Sequence, residues 1–165
     1  CDLAGLAIQD QIFLKGAYQD PYYAVRREGL FVIAVNCTRA LPTCFCTSMD
    51  TGPRARRNFD VVLTEVDDLF LVEAGSEAGA DLIPALSLSL AAPDAIGEAA
   101  ARVNACARSQ VRRLDQSRLP QALYDAHDHS HWDEVAARCL ACANCTMVCP
   151  PASVPVPPWR SRSPP

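Results

Sequence analysis

The residues best able to do chemistry are Cys139, Cys142, Cys145 and Cys149, followed at once by Pro150. Their spacing, C-x2-C-x2-C-x3-C-P, is the bacterial one that holds a [4Fe–4S] cluster through cysteine thiolates. The spacing has a physical reason. Thiolates three residues apart reach neighbouring iron corners of a cubane while the backbone wraps around it. Small residues such as Ala141 and Ala143 let that backbone come close, so amide N–H groups can aim at sulfur and tune the potential. Pro150 turns the chain away and removes one donor. A structural zinc site ordinarily takes two separated C-x2-C pairs across a loop. Three cysteines within positions 139–145 suit a cube better, with zinc or unliganded thiols as the other readings.

This ligand set is incomplete on one count. In two-cluster proteins with this spacing the fourth cysteine serves the other cluster. Cys149 would then do so, and the cluster on Cys139, Cys142 and Cys145 would need a remote cysteine. No second C-x2-C-x2-C occurs in the 165 residues. Either a partner motif is missing, or the fourth ligand comes from Cys37, Cys44 and Cys46. The C-x-C pair in that group puts two side chains on one side of an extended segment and can chelate metal. A partly buried loop with free thiols is the plainer reading.

The other candidates are weaker. Cys106 reads as a small hydrophobe inside a helix, and Cys1 gives no reading. Arg54, Arg56 and Arg57 suit an acidic partner or a cofactor phosphate, though a solvated loop explains them. His127, His129 and His131, with Asp125 and Asp128, read as a polar inter-domain loop before they read as metal ligands. No nucleophile–base pair or phosphate-binding loop stands out, and seven glycines argue against a dinucleotide-binding domain.

Composition narrows the class. Fifteen Lys+Arg against nineteen Asp+Glu leave a net charge of −4, without the cation surplus that nucleic acid or an anionic membrane surface demands. Half of the residues are hydrophobic and 21% charged, which excludes disorder throughout. No apolar run nears the roughly 20 residues of a membrane span, and no secretory leader is visible. Nine cysteines cannot all pair within the chain. Reduced thiols in a cytoplasmic setting point to metal or redox work.

The elements that must position these residues follow from pattern. Asp2 caps a helix that Gly16 stops, and Asp20-Pro21 opens another that ends at Gly29. The apolar run Leu30 to Val35 predicts a strand buried on both faces. A long loop from Asn36 to Asn58 carries three cysteines. Phe59 to Glu65 and Leu69 to Glu73 predict a hairpin. From Ala80 the chain turns helical. Pro93-Asp94 opens a helix to about Ser117, with Ile96, Ala100, Val103, Ala107, Val111 and Leu114 along one stripe. Pro120 starts another segment. Ser130 and Asp133 form a capping box for His131 to Cys139, with Trp132, Val135 and Ala136 inward. The fold class is α+β, a small α/β layer followed by a helical ferredoxin-like iron–sulfur segment. Its parts are 1–79, 80–150 and a proline-rich, disordered tail at 151–165.

The strings CDLAGLAIQD, DPYY, VNCTRALPTCFCTSMDTGP, FDVVLTEVDDLFLVEAGS and HWDEVAARCLACANCTMVCP together resemble one family. It is the iron–sulfur subunits of the anaerobic sulfite reductase and sulfhydrogenase beta-subunit type. The resemblance runs from residue 1 to Pro150. It implies Cys139, Cys142, Cys145 and Cys149 as cluster ligands. It also implies electron relay between a flavin-containing reductase subunit handling NAD(P)H and a catalytic redox subunit of the sulfite reductase or hydrogenase type. Departures from the family pattern are Asp50, where glycine is expected, and both ends of the chain. After Pro150, relatives continue with Thr-Cys-Phe-Cys and a second cysteine cluster. The expectation is therefore a fragment, with a reading-frame slip near codon 150 and a second [4Fe–4S] cluster in the intact chain.

Overall fold

The computed structural model describes residues 1–149, and the tail expected at 151–165 lies outside the described residues. Two short helices come first. Helix α1 (Asp2–Phe13) starts from Cys1, whose carbonyl accepts from Ala4 N at 3.0 Å and Gly5 N at 3.2 Å. The expected cap, Asp2, is instead the first helical residue, where its carboxylate meets the positive end of the helix. Helix α2 (Pro21–Glu28) begins as expected. Asp20 Oδ1 accepts from Tyr22 N and Tyr23 N, and proline fills the first position, where no backbone donor is needed.

A half-buried ion pair ties the two helices. Arg27 donates to Asp10 from Nε at 2.9 Å and from Nη2 at 3.1 Å, and the Tyr23 hydroxyl adds a third bond at 2.7 Å. Burial alone would raise the Asp10 pKa, but the Arg27 and Tyr23 hydrogen bonds and the Arg27 charge outweigh it and hold it low. Tyr23 moves the other way, to about 12, through burial and its bond to Asp10. A depressed carboxylate stabilises the fold above its unfolded pKa, and that contribution is lost as pH falls through the folded value. Asp10→Asn should therefore lower the unfolding free energy by about 1–2 kcal/mol at pH 7. Urea titrations should show the gap to wild type shrinking below about pH 4; a gap constant down to pH 2.5 would refute the assignment.

The sheet has three strands in the order β1 (Ile33–Asn36), β2 (Val61–Val66), β3 (Leu69–Ala74). β1 runs parallel to β2, with Ala34 against Val62 and Asn36 against Thr64. β3 returns antiparallel through a turn whose first residue, Asp67, is left-handed, as two-residue hairpins favour. The run Leu30–Val35 is not buried on both faces. Only Ile33–Asn36 pairs, Ala34 and Asn36 are buried, and Ile33 and Val35 stay 56% and 58% exposed. β1 is an edge strand, and at that edge only one of its faces lies against other elements.

Helix α4 (Pro93–Ser109) packs on β2 and β3 and buries Ala99, Val103 and Cys106, spaced one and two turns apart. That stripe differs from the expected one. Ile96 and Val111 are exposed, and the helix stops at Ser109 because Gln110 leaves it with extended backbone. Small side chains let the helix lie close to the sheet. Arg102 ties α4 to the hairpin turn through Asp67 at 2.6 Å.

Helix α3 (Glu77–Leu82) is capped by Ser76, whose Oγ accepts from Gly79 N at 3.1 Å and donates to Asp60 Oδ1 at 2.6 Å. A 3₁₀ turn, Ile83–Leu86, follows. The rest is short helices: α5 (Leu119–Asp125), α6 (His131–Ala137) and α7 (Asn144–Val148). The capping box at Ser130 does not form. Its backbone is already helical and its side chain caps nothing, while His131 N donates to His129 Nδ1 at 3.1 Å. Trp132, Val135 and Ala136, expected inward, are exposed. The elements make an α+β fold. Among the described residues no helix is long and apolar enough to cross a membrane.

Candidate functional site

The four cysteines of the C-terminal motif sit on one short stretch of chain. Cys139 follows α6, its N–H bonded to Ala136 O at 3.0 Å. Cys142 lies in the connecting loop, Cys145 in the first turn of α7, and Cys149 at its C-cap. All four are exposed. Between them Ala141 and Ala143 take positive φ, 51° and 59°, a conformation non-glycine residues seldom adopt. The turn at Ala141 aims its N–H at Cys139 Sγ, 3.3 Å away. An amide pointing at a thiolate sulfur, on a backbone bent by small residues, suits a sulfur-bound metal centre.

The second group occupies the crossover between the parallel strands. Parallel pairs need a crossover of a dozen residues or more, usually a helix. Here residues 37–60 contain no helix or strand and carry Cys37, Cys44 and Cys46. Three anchors shape this loop. Asn36, at the end of β1, accepts from Ala55 N at 2.7 Å and donates to Thr64 Oγ1 at 2.8 Å. Cys37 N donates to Pro53 O at 3.1 Å, behind a cis Gly52-Pro53 bond. Gln110, 3% exposed, reaches in from the end of α4. Its Oε1 accepts from Thr47 N at 3.1 Å and Thr47 Oγ1 at 3.0 Å, and its Nε2 donates to Cys46 Sγ at 3.2 Å. Gln116 Nε2 adds a bond to Ser48 O, and Arg113 one to Thr47 Oγ1 at 2.8 Å.

The thiols of this group feel one another. Burial raises the Cys37 pKa although much of the residue is exposed, and Cys46 and Cys44 reinforce that. Burial likewise pushes up Cys106, helped by Cys37, Cys46 and Cys44. Cys106 is buried within α4, as its position suggests. Among the described residues no three ligating side chains close on one point as a single ion requires, in either group or across both.

The weaker candidates stay local. His127 meets Asp128, His131 meets Glu134, and Arg56 stands 3.8 Å from Asp50, all of them exposed. Cys1, Gly52, Asn36 and Gln110 gave no signal in sequence. Each matters through a neighbour far along the chain.

An α+β chain with a thiol-bearing crossover and a ferredoxin-spaced cysteine segment defines a cysteine-rich class of sequence. Comparison finds similarity to a curated sulfhydrogenase beta subunit. The chain is 31% identical over 156 residues to sulfhydrogenase 2 subunit beta of Pyrococcus furiosus, covering 91% of this chain and 45% of that protein. The chain thus spans just under half the length of the curated relative it matches. No family model matches it, and no solved structure does.

Proposed function

We propose that this chain is an electron-transfer part of an oxidoreductase complex, with Cys139, Cys142, Cys145 and Cys149 as thiolate ligands of a [4Fe–4S] cluster. The observation that carries the reading is the C-x2-C-x2-C-x3-C-P spacing on a backbone turned left-handed at Ala141 and Ala143. The likeness to a sulfhydrogenase beta subunit supports it. The cluster supplies one-electron transfer, and no bond to substrate is made or broken. The chain's own residues do the rest. The thiolates hold iron, the Ala141 N–H stabilises charge on Cys139, and the exposed segment offers a short path to a partner. The partners in this reading are a catalytic redox subunit of hydrogenase or sulfite reductase type together with a flavin-containing reductase subunit, in the cytoplasm. Residues 1–79 then form the α/β part and 80–150 the cluster-bearing part, with a second cluster of this type in a longer chain.

Anaerobic reconstitution with iron and sulfide tests the reading. Cys142→Ser should remove about four iron and four acid-labile sulfide per chain and one reducible EPR signal. Stoichiometric zinc without sulfide, or iron unchanged in the variant, would overturn it.

A further inference from the structure

We propose that the crossover and the segment following α4 form one basic docking face, and that its partner is a protein surface rich in carboxylates. Residues 37–59 hold Arg39, Arg54, Arg56 and Arg57 against one acid, Asp50. Residues 108–118 hold Arg108, Arg112, Arg113 and Arg118 against one acid, Asp115. The fold lays the two segments together. Arg112 Nε donates to Pro42 O at 3.2 Å, Arg113 Nη1 to Thr47 Oγ1 at 2.8 Å, and Gln116 Nε2 to Ser48 O. Arg56 reaches the same stretch through Asp50, at 3.8 Å. Eight arginines less two aspartates leave +6 on these segments, inside a chain whose total is −4.

Seven of the eight arginines are exposed, and Arg54 is half-buried. Among the described residues Arg56 alone of them pairs with a carboxylate. Like charges gathered without counter-charges repel and destabilise the compact state. A partner's carboxylates relieve that repulsion, and the planar guanidinium fork matches each of them with two parallel bonds. Apolar side chains lie among these cations. Leu41, next to Pro42, is 68% exposed, Phe45 42%, and Val111, next to Arg112, 80%. Arginine set around exposed aromatic and aliphatic side chains is the composition of a protein interface. A phosphate polymer suits the chain less well. Residues 60–98 carry nine acids and no Lys or Arg, a charge that repels an extended polyanion running past the face.

The test is the fluorescence anisotropy of labelled polyglutamate titrated with the full chain. It reads binding without reconstituted iron, so its failure leaves the electron-transfer reading untouched. The chain should bind polyglutamate at low ionic strength and release it as salt rises. Arg56→Glu with Arg57→Glu should weaken binding at least about tenfold, and Arg112→Glu with Arg113→Glu should do the same. Arg26→Glu, at an exposed position of α2 outside both segments, should change nothing. The side chains of Arg56 and Arg57 brace no other segment among the described residues, so that pair decides if the Arg112 pair does not fold. No binding at low salt, or an equal loss in Arg26→Glu, overturns the proposal. So does tighter binding to single-stranded DNA of matched charge, or cosedimentation with phosphatidylserine vesicles that the same variants abolish.

Discussion

Gly79→Ala is expected to cost about 3 kcal/mol or more of folding stability, because the new methyl has nowhere to go. Gly79 is buried on the face of α3 that meets the start of β2. A Cβ there would overlap the Asp60 carbonyl oxygen, fall 2.7 Å from its carbon, and press on Val61 Cγ2 at 3.3 Å. The obstacle is backbone, so no rotamer change relieves it. The same contact carries the Ser76 cap and the Asp60 carboxylate, which accepts from Val32 N at 2.7 Å. Pushing α3 away therefore loosens the lead-in to β1 as well. Gly97 in α4 is the control, since a Cβ there meets nothing within 4 Å. Gly97→Ala should stabilise the chain by about 0.5–1 kcal/mol through helix propensity. Urea unfolding of both variants decides the matter; equal, small effects would refute the steric argument.

Asn36→Leu should be nearly as damaging, at about 3 kcal/mol. Asn36 is 2% exposed and its amide uses both ends, donating to Thr64 Oγ1 and accepting from Ala55 N. Leucine strands the Ala55 N–H and the Thr64 hydroxyl in a site shielded from water. Thr64→Val removes the weaker partner only and should cost about 1 kcal/mol. The two effects should also fail to add, since the residues share one bond. Thermal melts of the two single variants and the double variant measure this; strict additivity would show the bond to be idle.

Local chemistry was legible in sequence, and distant neighbours were not. Asp20-Pro21 announces α2 because its cap and its first residue are adjacent. The hairpin and the cysteine-bearing loop follow from short patterns in the same way. The two-faced burial expected for Leu30–Val35 failed because apolar content does not say whether a strand lies at a sheet's edge. The stripe of α4 failed because small residues, Ala99 and Cys106, face the sheet in place of larger ones such as Ile96. At the C-terminal motif four cysteines lie within eleven consecutive positions, so spacing alone carries the proposed reading. At the crossover, Gln110 meets Cys46 and Thr47 only through folding, and no pattern in one dimension joins them.

The helix-free crossover also bears on how the chain reaches its fold. β1 and β2 run parallel, so no rung of their ladder forms until residues 37–60 have been drawn back along the sheet. That closure is an entropic toll paid before the ladder's reward.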